Sequence, residues 1–378
     1  MRAPRARAAL LTLLAACGAH DAEPPPVAVD STPAPTIVPA LQPVDTAHYL
    51  PRVTALGWSA DGARLIYLHH EEYWHGEPAW TTHECGGSGV YETDGESPPR
   101  AVLAGPEWCR WGGSGEASLA ADGRTLLASP HGTPDDPCSV VRALDLQTRR
   151  WREFLRTCDA FVWRPALSPD GRTVVAKLTG CKADSASRTD ADYTRHLLAL
   201  DGSVIRPLGG EEEEITGAAW SPDGRRLALT RDWYDEEEAY HQELRVVDPA
   251  TGRGRRIARG GGGAWSPDGR WIAYVGAPRY EQDHRFQLRV VRPDGTGDRL
   301  VYVNPDSTGW SDGICRICTW FSNGAPHSPL WSPDGRRIVF TRLYHAGETL
   351  WSIGVDGSGL RRLTTTLPPG HGQRNYHP

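Results

Sequence analysis

Polar and apolar residues alternate with a period of two in many short stretches of residues 48–378. Arg226-Leu227-Ala228-Leu229-Thr230, Leu288-Arg289-Val290-Val291-Arg292, Arg299-Leu300-Val301-Tyr302-Val303 and Arg337-Ile338-Val339-Phe340-Thr341 are examples. Such alternation places apolar side chains on one face and predicts β-strands. Tight-turn signals separate the strands. In Pro-Asp-Gly, proline presets φ, aspartate accepts from nearby backbone N–H groups, and glycine adopts positive φ.

One of these turns sits inside a repeat. Trp58-Ser59-Ala60-Asp61-Gly62 recurs as Leu119-Ala120-Ala121-Asp122-Gly123, Leu167-Ser168-Pro169-Asp170-Gly171, Trp220-Ser221-Pro222-Asp223-Gly224, Trp265-Ser266-Pro267-Asp268-Gly269 and Trp331-Ser332-Pro333-Asp334-Gly335. The intervals are 61, 48, 53, 45 and 66 residues, a spacing that signals a repeat architecture. Each copy predicts a strand entering the Trp or Leu, the tight turn, a second strand, a loop, a third strand, an Asp-Gly turn and a fourth strand. Four-stranded antiparallel units arranged about an axis form a β-propeller, which leaves only short edges. Six copies predict an all-β, six-bladed β-propeller over residues 48–378.

The Trp-Ser-Pro-Asp-Gly-Arg copies resemble those of the TolB-like propeller superfamily, whose units are also called WD40-like PD40 repeats. The second and third copies depart from that pattern, with Leu119 and Leu167 in place of Trp. Members of the superfamily carry an α/β domain before the propeller or a hydrolase domain after it. A free-standing propeller is the expectation here.

Residues 1–16 begin with Arg2, Arg5 and Arg7 and continue as an apolar run, Ala8 to Ala16. The run is too short to span a bilayer and predicts a signal peptide. Its end, Leu14-Ala15-Ala16-Cys17-Gly18, resembles a bacterial lipobox. That resemblance implies lipidation of Cys17, and Gly18 in place of aspartate favours the outer membrane, facing the periplasm. Residues 17–47 contain seven prolines among small and acidic residues and predict an extended tether.

The 41 basic and 47 acidic residues give a net charge of −6. A net negative chain lacks the basic field that nucleic acid requires. The loops between second and third strands, and the connections between units, are predicted to share one face and to be long. They include 69–87, 231–243, 276–286 and 342–348, and long loops on a rigid scaffold commonly carry binding. Candidate ligand-binding residues on this face are His69, His70, Trp74, His75, Trp80, Trp233, Tyr234, Tyr280, His284, Tyr344 and His345. Trp108, Trp111, Trp163, Trp310 and Trp320 join Trp74, Trp80 and Trp233 as aromatics placed there.

The densest group, His69-His70-Glu71-Glu72-Tyr73-Trp74-His75, has donors suited to a divalent metal, but not the spacing of a zincin motif. Its metal is left open, and no other cofactor is expected. The acidic runs Glu211–Glu214 and Asp232–Glu238 read as solvated loops or as cation sites. No nucleophile elbow or phosphate loop occurs; Gly260–Gly263 lacks a following Lys-Ser/Thr. Cys85 with Cys109, and Cys138 with Cys158, flank hairpins and are expected to form disulfides in an exported compartment. Cys181, Cys315 and Cys318 have no assigned pairing.

These features favour a monomeric, non-catalytic envelope lipoprotein that binds a protein, peptide or glycan through its long-loop face. The rival is a metal-assisted carbohydrate lyase or hydrolase acting in the central pocket.

Overall fold

A computed structural model describes residues 49–73, 88–104, 108, 117–129, 138–158, 161–179, 195–208, 214–235, 240–276, 287–303, 329–344 and 347–364. The chain divides into Met1–Asp45 and Thr46–Pro378, and all described residues belong to the second unit. No helix among them is long and apolar enough to cross a membrane.

Consecutive strands pair antiparallel throughout. The first sheet comprises β1 (Tyr49–Trp58), β2 (Leu65–Tyr73), β3 (Gly89–Thr93) and β4 (Arg100–Ala104). The second comprises β5 (Ala117–Leu119), β6 (Thr125–Ala128), β7 (Ser139–Asp145) and β8 (Arg150–Thr157). The third comprises β9 (Phe161–Leu167), β10 (Thr173–Thr179), β11 (Arg195–Ala199) and β12 (Val204–Pro207). A seven-stranded sheet follows: β13 (Glu214–Trp220), β14 (Leu227–Tyr234), β15 (Tyr240–Val247), β16 (Gly254–Trp265), β17 (Ile272–Gly276), β18 (Gln287–Val291) and β19 (Arg299–Val303). The last holds β20 (Leu330–Trp331), β21 (Arg337–Tyr344), β22 (Gly347–Gly354) and β23 (Arg361–Arg362). The protein is an all-β propeller of antiparallel four-stranded blades.

Where six separate sheets were expected, four are separate and one is continuous. Its continuity lies in β16. Gly254–Arg259 pairs with β15, and Gly260–Trp265 pairs with β17. The four glycines Gly260–Gly263 make this possible. Gly260 and Gly262 have φ of 121° and 69°, conformations that L side chains rarely adopt. The run is thus a bend in a strand, where glycine permits close backbone approach.

The core lies between successive units rather than inside any one. Ile66, Leu68 and Val90 of the first sheet meet Leu126 and Leu144 of the second. Val141 and Leu155 meet Val174 and Leu198 of the third. Val175 and Leu197 then meet Ile215, Leu227 and Leu229. Leu244 and Ile257 face Ile272 and Tyr274 within the seven-stranded sheet. Val290 and Val301 meet Ile338 and Ile353 of the last sheet. Finally Val339, Leu350 and Leu363 meet Val53, Leu65, Tyr67 and Tyr91, so the last sheet packs on the first. Among the described strands this closure exchanges no strand between sheets; it rests on side-chain packing and on hydrogen bonds from side chains to backbone carbonyls.

Two sets of polar staples join neighbouring units. At the inner strands, the indole N–H groups of Trp220, Trp265, Trp331 and Trp58 donate to the carbonyls of Ala166, Ala219, Ala264 and Trp331, at 2.9–3.1 Å. Each acceptor belongs to the first strand of the neighbouring unit. Leu119 and Leu167 have no such donor. Their packing is apolar, and a Cβ on Gly57 would lie 2.8 Å from Leu119 Cδ2. At the outer strands, Arg206, Arg255 and Arg299 donate to the carbonyls of Ala250, Pro293 and Val355 in the next unit's hairpin turn, at 3.4, 3.5 and 2.8 Å. Arginine on an outer strand also blunts its edge against pairing with another chain.

The repeated turn is built alike in the five copies that carry serine. Ser59, Ser168, Ser221, Ser266 and Ser332 donate their hydroxyls to Asp61, Asp170, Asp223, Asp268 and Asp334, at 2.5–2.6 Å. The glycine that follows each aspartate has φ between 63° and 71°, the left-handed region a tight turn requires.

Candidate functional site

Antiparallel pairing sorts the connections to two faces. The repeated turns and the turns from third to fourth strands lie on one face; the remaining connections lie on the other. On that second face lies the β14–β15 hairpin. Strand alternation continues through its charged residues, so β14 runs to Tyr234 and β15 resumes at Tyr240. Most of the loop expected over 231–243 is therefore paired strand. The region expected as loop 342–348 is likewise a tight hairpin, with β21 reaching Tyr344 and β22 starting at Gly347.

Register brings chemistry together at this hairpin. Trp233 pairs opposite His241, and their rings stack at 5.2 Å and 18°. The Arg231 guanidinium lies 4.6 Å from the Trp233 ring centroid, a cation–π contact. The His241 Nε2 is 2.5 Å from Asp235 Oδ2. Below them, the buried Glu243 carboxylate meets Arg245 at 3.0 Å, Arg231 at 3.4 Å and Arg256 at 3.9 Å. Three guanidinium groups around one carboxylate offset its desolvation. At the tip, Tyr234 is 69% exposed. The arrangement is a rigid polar base carrying an exposed phenol.

Other expected residues fall differently. His69 is not on a loop: it lies in β2, is buried, and meets the Tyr91 ring edge-on at 6.0 Å. His70 continues the same strand opposite Arg52. Trp108, expected on the loop face, is fully buried against the first two sheets because its indole completes their shared core. Asp232, expected in a solvated acidic run, is buried within β14. Tyr344 ends β21. Cys17, Trp74, His75, Trp80, Tyr280, His284, His345, Cys85 and Cys109 lie outside the described residues. Cys138 and Cys158 are joined by a disulfide, with Cα atoms 3.9 Å apart. Among the described residues no group of three His, Cys, Asp or Glu side chains is placed to hold a metal.

Sequence reasoning passed over Arg195, Glu243 and Arg342. All three are buried: Arg195 donates to the Thr216 carbonyl at 2.7 Å, and Arg342 lies 4.7 Å from the Trp351 ring centroid. A charged residue inside an otherwise alternating apolar run was the available signal.

Over 94 residues, 25% of this chain, the sequence is 31% identical to the Tol-Pal system protein TolB of Thioalkalivibrio sulfidiphilus. The chain has a TolB-like β-propeller. That match spans 18% of the relative's length. No protein-family model matches the TolB-like chain. Its fold is similar to a TolB from Agrobacterium tumefaciens, with a TM-score of 0.46 and 19% identity, covering 70% of this chain and 83% of that one. It is also similar to an oligogalacturonate lyase in complex with manganese, with a TM-score of 0.49 and 19% identity, covering 80% and 90% of the two chains.

Proposed function

We propose that this TolB-like chain is a non-catalytic envelope lipoprotein that binds a protein, peptide or glycan through its long-loop face. The observation that carries the reading is Tyr234, exposed at the tip of a hairpin whose base is fixed by Trp233, His241 and Asp235. Rigid aromatics with a polar end make effective binding anchors, because little side-chain entropy is lost on contact. The remaining aromatics and histidines of that face, Trp74, His75, Trp80, Tyr280, His284, Tyr344 and His345, would extend the surface.

The scaffold is a six-bladed ring in this proposal. Six copies of the turn motif support it, with the seven-stranded sheet counted as two blades fused through β16. Residues 1–16 would be removed, Cys17 lipidated, and residues 17–47 would tether a monomeric propeller to the outer membrane on its periplasmic side.

A photo-crosslinking amino acid placed at Tyr234 tests the reading in the native envelope, with Leu300 on β19 as control. A protein adduct at position 234 alone supports it, as does a glycan-array hit lost in Tyr234→Ala. Neither adduct nor glycan overturns it. A stoichiometric divalent metal lost in His70→Ala would replace it with the lyase reading.

A further inference from the structure

The opposite face, carrying the repeated turns, holds a cleft of about 490 Å³ where β13–β16 meets β16–β19. Four arginines line it, from four separate segments. Arg226 follows the β13–β14 turn, Arg255 lies on β16, Arg270 is in the β16–β17 turn, and Arg292 directly follows β18. Trp271 and Asp294 complete the wall.

The local charge reverses that of the chain, which is −6 overall. Asp294 offsets one of the four charges: the Thr296 hydroxyl at 2.6 Å and N–H at 2.9 Å, with the charges of Arg255 and Arg292, hold its carboxyl below the ordinary value, and the lining keeps an excess of positive charge. Asp268 accepts from the Ser266 hydroxyl, and its other oxygen stays 3.9 Å from Arg270 Nε. Arg255 makes one long contact, 3.5 Å to the Pro293 carbonyl. The guanidinium groups therefore retain donors for a ligand.

We propose that this cleft binds an acidic peptide segment of a partner protein. The Trp271 ring is already within 5.1 Å of the Arg292 guanidinium and 5.6 Å of that of Arg299, so it offers no bare platform for a sugar ring. Recognition must run through guanidinium forks, which match carboxylates with two parallel hydrogen bonds. The cleft is far larger than one carboxylate needs, and its donors come from separate segments. A run of Asp and Glu side chains fits both features. The site lies on the face away from Tyr234 and does not depend on it.

The test is fluorescence polarisation of a labelled poly-glutamate peptide with the full chain. Binding should weaken as salt rises and should be absent for a poly-glutamine peptide. The double variant Arg270→Gln/Arg292→Gln should lose about tenfold or more in affinity, as expected for removing charge-assisted hydrogen bonds. Arg255→Gln, which removes one charge along with the long Pro293 contact, should show a smaller loss with an unchanged circular dichroism spectrum. Tyr234→Ala should bind normally. Absence of peptide binding overturns the proposal, and so does an equal loss in the control Arg150→Gln/Arg362→Gln. Displacement of the peptide by polyphosphate or polygalacturonate at lower concentration would also overturn it, by assigning the cleft to another anion.

Discussion

The Trp58 indole N–H donates to the Trp331 carbonyl at 2.9 Å, joining residues 273 positions apart. The bond links the first sheet to the last, beside the cluster of Val53, Leu65, Val339 and Leu350. It is the same bond that Trp220, Trp265 and Trp331 make to their preceding neighbours, used here to close the ring. Trp58→Phe keeps an aromatic ring and removes the donor, leaving the Trp331 carbonyl without it. Urea unfolding should show a loss of about 1 kcal/mol, the usual net worth of such a bond. An unchanged midpoint would mean that apolar packing alone closes the propeller.

The serine–aspartate turns give acid sensitivity with a definite sign. The hydroxyl of the partner serine is the main cause holding Asp61, Asp170, Asp223, Asp268 and Asp334 below the ordinary 3.8. At Asp94, backbone N–H groups of Ser97 and Glu96 lower the value to about 2. In the second copy Ala120 replaces serine; burial raises Asp122, and the Thr125 hydroxyl and N–H reverse that to a net lowering. A carboxylate whose folded pKa is depressed contributes stability above its unfolded pKa and loses it as pH falls through the folded value. The denaturation midpoint should therefore hold above about pH 4 and fall between 3.8 and about 2. Ser221→Ala should raise the Asp223 titration midpoint in a carboxylate NMR experiment. No upward movement would remove the serine hydroxyl as the cause.

Much of this architecture was legible because the repeat fixes turns, and turns fix strand order. Trp58, Trp220, Trp265 and Trp331 stood out by position before their hydrogen bonds were visible. The hairpin around Trp233 was harder. Arg231, Asp232 and Glu243 interrupt the apolar alternation and look like a solvated loop, yet in the fold they lie in a paired hairpin, where Arg231 and Glu243 form an ion pair and Asp232 is buried. Trp108 misled for the opposite reason: it lies between strands in sequence and between sheets in space. In sequence Gly260–Gly263 bears only on a phosphate loop, which it fails to match, whereas in the fold it lets one strand serve two sets of neighbours.

The disulfide between Cys138 and Cys158 spans 20 residues and ties the start of β7 to the segment after β8. Constraining a loop of that size in the unfolded chain contributes about 3 kcal/mol. Reduction, or Cys138→Ala/Cys158→Ala, should lower the unfolding free energy by about 2–4 kcal/mol. Urea unfolding of the variant and wild type, both under oxidising conditions, measures it. Equal midpoints would show that packing of Val141 and Leu155 suffices to hold that hairpin.

The bend in β16 makes the sharpest steric prediction. A Cβ on Gly261 would lie 2.4 Å from Thr230 Cγ2 and 2.7 Å from Gln242 Cδ. Thr230 is buried, and its hydroxyl accepts from the Gly262 N–H at 2.9 Å, so it cannot swing away freely. Gln242 presents the flexible part of a longer side chain and can yield. Gly261→Ala should therefore cost about 1–3 kcal/mol, the usual price of overpacking a filled site. Thr230→Ser removes the clashing methyl and keeps the hydroxyl bond. In the Gly261→Ala background it should recover part of the loss, although alone it destabilises by removing a buried methyl. A double-mutant cycle by urea unfolding reads this coupling directly. Additive effects would mean that the strand relieves the clash by shifting its backbone, and that the close approach at Thr230 is not what demands glycine.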